Sequence, residues 1–285
     1  MSWTRQSGNW SRPLGCHDRL FQFIGDSGKP LGREHWVMIG AVHLVLPAGM
    51  DIVAQLRTAW KTLRLRHPDI AHELHQDEKH TTRSVALVGS HWRWDGLGLI
   101  MVLHGLLAKL ENPTPLPTVF DGSEAQHLIP SLDIAIGMPS IRDPNWDRRA
   151  DELISTYLNG QFSIGLLPDS KLSTPVLPGN THRVNLRVPA KDTLALCEAC
   201  RAQGITLTTA IHDSAVCSNA SSPATRYISW QAFDLRKYCP PPFNGPIHGP
   251  SLRMVGLPAN VEARAPWDKL VRAIHLVYAQ SWGLS

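Results

Sequence analysis

The residues with the most chemistry to offer stand together in His91-Trp92-Arg93-Trp94-Asp95-Gly96, the only stretch of the chain with His-x-x-x-Asp spacing. Imidazole titrates near neutral pH, so His91 can take a proton from a weak nucleophile such as an alcohol. Asp95 stands where a carboxylate caps a helix, and Gly96 eases the bend. The local pattern leaves two readings of His91 open, a general base or a hydrogen-bonded core histidine.

The elements on either side of this stretch must hold it in place. An apolar run rich in Val and Leu ends at Gly89, which is typical of a strand. A second apolar run follows Gly96 and continues past Leu110, too long for one strand. The sequence therefore predicts a strand, a polar corner and a buried helix.

The rest of the first half predicts further elements of both kinds. These are a short strand or helical turn at 20–24, a strand at 35–47, a helix at 52–66, an irregular proline-rich linker at 112–144 and a helix at 146–158.

The second half follows a connector rich in Pro and Gly at 160–180. Alternation of Val184, Leu186 and Val188 predicts a strand at 182–188. The remaining predictions are helices at 189–203 and 206–220, a strand at 227–233 and a last helix at 267–281. The mixture of elements indicates an α/β protein.

Composition indicates a globular protein and excludes some partners. Of the 285 residues, 43% are hydrophobic, enough for a real core, and the net charge of +4 is spread along the chain. Without a basic block or tail, we expect no nucleic-acid partner, although the mild positive balance suits an anionic cofactor. Without an apolar leader or a membrane-length apolar run, we expect a soluble, cytoplasmic protein with no membrane span.

Cysteine and histidine spacing does not predict a metal site. The count of five cysteines is odd and sparse, which fits a reducing compartment. Cys197 and Cys200 have zinc or redox spacing but lie within a predicted helix without a second ligand pair, so we expect them to pack. The histidines at 67, 72, 75 and 80 are typical of a solvated helix end.

Four segments together carry a likeness to a known family. They are His91 to Gly96, the preceding helix segment at 60–68, Gly204-Ile205-Thr206-Leu207-Thr208-Thr209-Ala210, and Asp234-Leu235-Arg236 where the family often has Asn-x-Arg. With these segments the chain, from about residue 30 to its end, resembles the CoA-dependent acyltransferase superfamily, which includes chloramphenicol acetyltransferase, the plant BAHD acyltransferases and condensation domains. Within it, the chain is most similar to fungal trichothecene 15-O-acetyltransferase-like proteins.

The resemblance implies the chloramphenicol-acetyltransferase-like two-layer α/β sandwich, with two similar subdomains and a tunnel between them. We expect an N-terminal subdomain at 1–170 and a partial C-terminal one at 171–285. The Asp-Phe-Gly-Trp-Gly motif of the family does not occur in the sequence. The second subdomain is therefore expected to be shortened, and a homodimer could complete its sheet.

The resemblance also implies the chemistry. The expected co-substrate is an acyl-CoA, acetyl-CoA above all. The expected acceptor is a small-molecule alcohol of fungal secondary metabolism, such as a terpenoid or polyketide. No metal is expected to take part. His91 would be the general base, and Asp95, the other residue of the catalytic motif, would hold the loop by a bidentate contact with Arg236 across the subdomains. Trp92, Trp94, Ser229 and Gln231 are further candidates for the tunnel wall.

A second function stays open beside this one. The His-x-x-x-Asp-Gly motif favours a transferase, whereas the absent C-terminal motif favours a catalytically silent or repurposed relative. Such a relative would act as a binding or partner subunit, or use the tunnel for another reaction.

Overall fold

The computed structural model describes residues 3–33, 35–46, 49–70, 74–76, 82–113, 121–139, 143–158, 163–164, 184–218 and 224–279. The chain forms two compact units that interleave in sequence: Met1–Ser140 with Asp234–Val255, and Ile141–Phe233 with Gly256–Ser285. The predicted segments 1–170 and 171–285 differ from these units because residues 141–170 belong to the second unit and residues 234–255 to the first. The assignment of acyltransferase subdomains stays a prediction.

The first unit mixes strands and helices. In chain order it contains β1 (Thr4–Gln6), β2 (Asn9–Ser11), α1 (Cys16–Asp26), β3 (Val37–Val45), α2 (Ile52–Arg66), β4 (Leu74–Gln76), β5 (Thr82–Ser90), α3 (Gly96–Glu111) and the short α4 (Leu132–Ala135).

An antiparallel sheet with the order β3-β5-β4 fixes the position of the polar corner. The register pairs Val37, the first residue of β3, with Ser90, the last residue of β5. Trp36 and His91, the next residues outward on the two strands, are therefore brought side by side.

Helices α2 and α3 pack with this sheet to form the main core. Leu99, Val102, Leu103 and Leu106 recur at spacings of three and four, so they form one buried stripe along α3. Gly40 of β3 allows the close approach of this stripe, because a Cβ there would lie 2.7 Å from Leu103 Cδ1. The buried helix after the corner is thus confirmed.

The second unit has its own small core. Its elements are α5 (Pro144–Leu158), α6 (Ala190–Ala202), α7 (Leu207–Ser218), the paired strands β6 (Arg226–Asp234) and β7 (Met254–Glu262), which both run on into the first unit, and α8 (Trp267–Ala279). Val216, Val261, Leu270 and Ile274 are buried together in this core.

Two predicted elements need correction, and further elements were not predicted. Residues 184–188 form no strand, and Val184 and Leu186 are each 90% exposed, so their alternation faces solvent rather than a sheet; residues 182–183 lie outside the described residues. The segment 20–24 belongs to the longer helix α1. The strand β7 and the hairpin β1-β2 were not predicted at all.

The residues with metal-like spacing include two cysteines of α6 and a histidine at the end of α2. Cys200 is buried on α6 with Cys197 half-buried one turn away, and all five cysteines are free. His67 is buried at the end of α2, while His72 and His80 lie outside the described residues. Within the described ranges no three His, Cys, Asp or Glu residues are grouped to hold a metal ion, and no helix has the length and apolarity to cross a membrane.

Buried His67 predicts acid sensitivity of the fold. Burial, with the charge of Arg66 as the next cause, lowers the pKa of His67 from 6.5 to about 4, while its Nδ1 lies 3.0 Å from the carbonyl oxygen of Ile247. As the pH falls, His67 therefore takes up a proton in the unfolded chain before it does so in the folded protein. The free energy of unfolding falls by about 3 kcal/mol as the pH drops from 6.5 towards 4.

The measurement is the free energy of unfolding from pH 7.5 to 4 for wild type and His67→Asn, whose amide can replace the Nδ1 donor. We expect the wild type to lose more stability than the variant over this range. His43→Asn, on an exposed face of β3, should follow the wild type. Parallel curves for wild type and His67→Asn would contradict the prediction.

Candidate active site

The position of His91 is set by the strand ends and by aromatic rings. Its backbone N–H donates to the carbonyl oxygen of Trp36 at 2.9 Å. Its imidazole packs against the Trp36 ring, with centroids 5.1 Å apart, and against Phe21 of α1, with centroids 5.5 Å apart. Phe21 is buried, so one side of the imidazole packs against a ring whose position is fixed.

Trp36 is held in an unusual backbone conformation. Its φ of +64° lies in the left-handed region, which a bulky side chain rarely adopts. Such a conformation costs about 1–3 kcal/mol and persists only where the surroundings impose it. Here the start of β3 and the bond from His91 impose it, and the indole ring is thereby turned onto the imidazole.

The imidazole of His91 has no carboxylate partner among the described residues. Its Nδ1 is buried and makes no hydrogen bond within them. The carboxylate four residues later is fully engaged elsewhere, as described next. A Ser-His-Asp type of relay, in which the carboxylate orients the imidazole, is therefore not the arrangement in this corner.

Asp95 caps α3 and accepts four hydrogen bonds. Its Oδ1 accepts from the backbone N–H of Gly98 at 2.7 Å and from Arg236 Nη2 at 2.9 Å. Its Oδ2 accepts from Arg236 Nη1 at 3.0 Å and from the backbone N–H of Arg253 at 2.7 Å. The carboxylate is 3% exposed, and its lone pairs are filled, which supports a positioning role rather than contact with a substrate.

Arg236 is equally saturated. Besides the two bonds to Asp95, its Nε and Nη2 donate to the carbonyl oxygen of Gly249 at 3.0 and 2.8 Å, and Nη2 donates to that of Ser251 at 2.8 Å. Its Nη1 also donates to Asp234 at 2.8 Å. The bidentate contact expected from the sequence is therefore present, but it lies within the first compact unit.

The glycine that the corner requires is Gly98, not Gly96. A Cβ on Gly98 would lie 2.7 Å from the carbonyl oxygen of Ser251 and 3.1 Å from Arg236 Nη2. A Cβ on Gly96 would only touch Met38 Cε at 3.9 Å, and Gly96 has no positive φ. Gly98 is two residues beyond the motif, and only its helical spacing from Asp95 could have drawn attention to it.

The four residues predicted to line the tunnel have different environments. Trp92 lines a cavity of the first unit, whereas Trp94 is 1% exposed in the main core. In the second unit, Gln231 Nε2 donates to Ser229 Oγ at 2.6 Å, so the two side chains share one face as their alternation predicted. Their place in a substrate tunnel stays a prediction.

Shortening the fork of Arg236 should destabilise the corner. In Arg236→Lys, an ammonium group cannot reproduce the planar set of bonds to Asp95, Gly249 and Ser251, and buried acceptors are left unpaired. We expect the free energy of unfolding to fall by about 3 kcal/mol, measured by chemical denaturation.

Arg148→Lys is the matched control, because Arg148 pairs with Glu152 on exposed α5 and such pairs contribute less than about 1 kcal/mol. Equal free energies of unfolding for Arg236→Lys and wild type would contradict the prediction that the guanidinium of Arg236 stabilises the corner.

Adding one methyl group separates the two glycines. Gly98→Ala forces the backbone of Ser251 or the start of α3 to move, and overpacking of this kind costs about 1–3 kcal/mol. Gly96→Ala makes only an ordinary contact with Met38 and gains helix propensity, so it should be neutral or slightly stabilising. The melting temperatures of the two variants test this order, and a Gly96→Ala loss as large as that of Gly98→Ala would contradict it.

Comparison with curated proteins finds fungal acetyltransferases. The chain is 28% identical over its full length to the acetyltransferase pigO of Monascus ruber and spans 74% of that protein. It is 25% identical over 87% of its length to the O-acetyltransferase pigM of the same fungus, of which it spans 59%. The azaphilone biosynthesis cluster protein M of Aspergillus terreus is 26% identical over 93% of the chain. No protein-family model matches the sequence.

Solved structures with the same fold agree with these sequences. The trichothecene 15-O-acetyltransferase TRI3 of Fusarium sporotrichioides superposes with a TM-score of 0.70 at 11% identity over 98% of this chain and 74% of its own. Polyketide synthase associated protein 5 of Mycobacterium tuberculosis gives a TM-score of 0.61 at 16% identity, over 94% of this chain and 72% of its own. The chain thus shares the α/β fold of these structures and is similar in sequence to fungal acetyltransferases, which supports a CoA-dependent acyltransferase-like relationship.

Proposed function

We propose that this protein is an acyl-CoA-dependent O-acyltransferase that transfers an acetyl group to a hydroxyl of a small secondary metabolite, with His91 as general base. The observation that carries the proposal is the corner itself. The imidazole of His91 stands at the end of β5, held by the backbone of Trp36 and two aromatic rings, and no carboxylate of the described residues pairs with it. The kinship with named acetyltransferases supplies the class of reaction.

The proposed step moves one proton and one acyl group. His91 takes the proton of the acceptor hydroxyl as its oxygen attacks the thioester carbonyl. The carbon–sulfur bond then breaks, and the imidazolium returns the proton to the departing thiolate, so the products are an ester, free CoA thiol and neutral His91. Because Nδ1 of His91 is buried, Nε2 is the nitrogen that we assign to this transfer.

Asp95 and Arg236 act through position alone in this proposal. Their mutual bonds fix the first turn of α3 and thus the end of the loop that begins at His91. A general base contributes only when it lies within hydrogen-bond reach of its proton, so a shift of the loop would lower turnover without altering the chemistry available. The thioester donor supplies an activated acyl group.

The test is CoA thiol release by the full chain with acetyl-CoA and a panel of terpenoid and polyketide alcohols, with product mass confirming the ester. We expect His91→Ala to lower turnover by about 10²–10⁴-fold at an unchanged melting temperature, the usual contribution of a positioned acid–base group.

His104→Ala is the control, since His104 is an exposed histidine of α3, and it should retain wild-type turnover. Thiol release that is equal in wild type and His91→Ala would overturn the proposal and favour the silent or repurposed relative.

A further inference from the structure

A cavity of about 650 Å³ lies in the first unit and is not lined by His91. It is large enough for a drug-sized molecule. The hairpin segment before α1, the end of α2 and the turn after His91 form its walls. Its most informative lining residues are Trp3, Trp10, Arg12, Asp69, Trp92 and Arg253.

Three indole rings give this cavity flat apolar surfaces. Trp3 is fixed by a hydrogen bond from its Nε1 to the carbonyl oxygen of Ile129 at 2.9 Å. The Arg93 guanidinium carbon lies 4.8 Å from the centroid of the Trp92 ring, which restrains that indole. Restrained indole faces bind planar, conjugated ring systems at little cost in side-chain entropy.

The same cavity is lined by three residues with buried polar atoms that make no hydrogen bond to any described residue: Asp69 Oδ1, Arg12 Nε and Arg253 Nε. Buried polar atoms are nearly always paired, because leaving one unpaired costs about 1–3 kcal/mol. Three side chains that line one cavity are therefore short of hydrogen-bond partners, and a ligand in the cavity would supply them.

Asp69 is the most informative of the three. Desolvation by burial raises the pKa of Asp69 to about 6, although a hydrogen bond from its own backbone and the charges of Arg93, Arg12 and Arg253 favour the ionised form. Arg93 Nη1 bonds the backbone carbonyl of Asp69 at 3.3 Å rather than the carboxylate. A desolvated carboxylate that destabilises the fold at neutral pH is typical of a functional position.

The charges restrict the class of ligand. Four arginines and three carboxylates line the cavity, and Arg12 is already paired with Asp18 at 2.5 Å. The arginines disfavour a cation, while Asp69 and Glu124 disfavour a multiply charged phosphate. A hydroxyl could donate to Asp69, and a carbonyl or single carboxylate could accept from the guanidinium N–H groups.

We propose that this cavity binds a planar hydroxylated aromatic compound that carries a carbonyl or a single carboxylate group. The site is independent of the acyl-transfer chemistry proposed for His91, which does not line it. The indoles hold the ring, the carboxylate of Asp69 accepts from the hydroxyl, and the guanidinium groups of Arg12 and Arg253 donate to the carbonyl or carboxylate.

The test is titration calorimetry of the full chain with 2,4-dihydroxybenzoate as probe. We expect saturable one-to-one binding, with weaker binding of benzoate, which lacks the hydroxyls, and no binding of phenethylamine, which is a cation. Asp69→Asn should weaken binding about tenfold or more, while its melting temperature at pH 7.5 rises because a desolvated charge is removed. A purely structural Asp69 would lower stability on substitution and leave affinity unchanged.

Trp10→Ala, at a half-exposed wall position, should also weaken binding, and His91→Ala should bind the probe as tightly as wild type. Absence of saturable binding, unchanged affinity in Asp69→Asn, or loss of binding in His91→Ala would each overturn the proposal. Thiol release is not measured in this experiment, so its outcome is separate from that of the transferase assay.

Discussion

The corner of this protein depends on one buried ion pair, the fork of Arg236 on the carboxylate of Asp95. Removing two charges from water is costly, and the mutual attraction offsets that cost only if every remaining lone pair and N–H is also satisfied. Here backbone groups of Gly98, Gly249, Ser251 and Arg253 complete the set. These backbone groups therefore stabilise the ion pair, and the ion pair in turn fixes the positions of these backbone segments.

This network explains why residues 234–255 belong to the first unit. Arg236 and Arg253 each donate to Asp95, so the segment between them is drawn to the start of α3, next to the turn that carries Trp92 and Arg93. The corner is thereby held from two directions, by the register of β3 and β5 on one side and by this segment on the other. His91 stands between the two.

Local signals predicted much of this arrangement. A long apolar run after Asp95 could only be a buried helix, and the cap follows from the residue type. The pair with Arg236 came from family likeness, because a contact between residues so far apart in sequence leaves no local pattern. Gly98 and the left-handed Trp36 were missed for the same reason, since their roles depend on Ser251 and on the pairing of β3 with β5. Val184 and Leu186 show that a local pattern can also mislead. Alternating apolar residues form a strand only where another strand pairs with them or a core buries them.

The long separation between Asp95 and its partners also bears on when the corner forms during synthesis. Chains emerge from the ribosome N-terminus first, and contacts between distant residues form late because a long loop must close before they contribute. The sheet of β3, β4 and β5, together with α2 and α3, can assemble from the first 111 residues. The capping carboxylate, however, waits for Arg236 and the backbone of Arg253. The nascent protein thus acquires a folded scaffold well before it acquires an ordered corner.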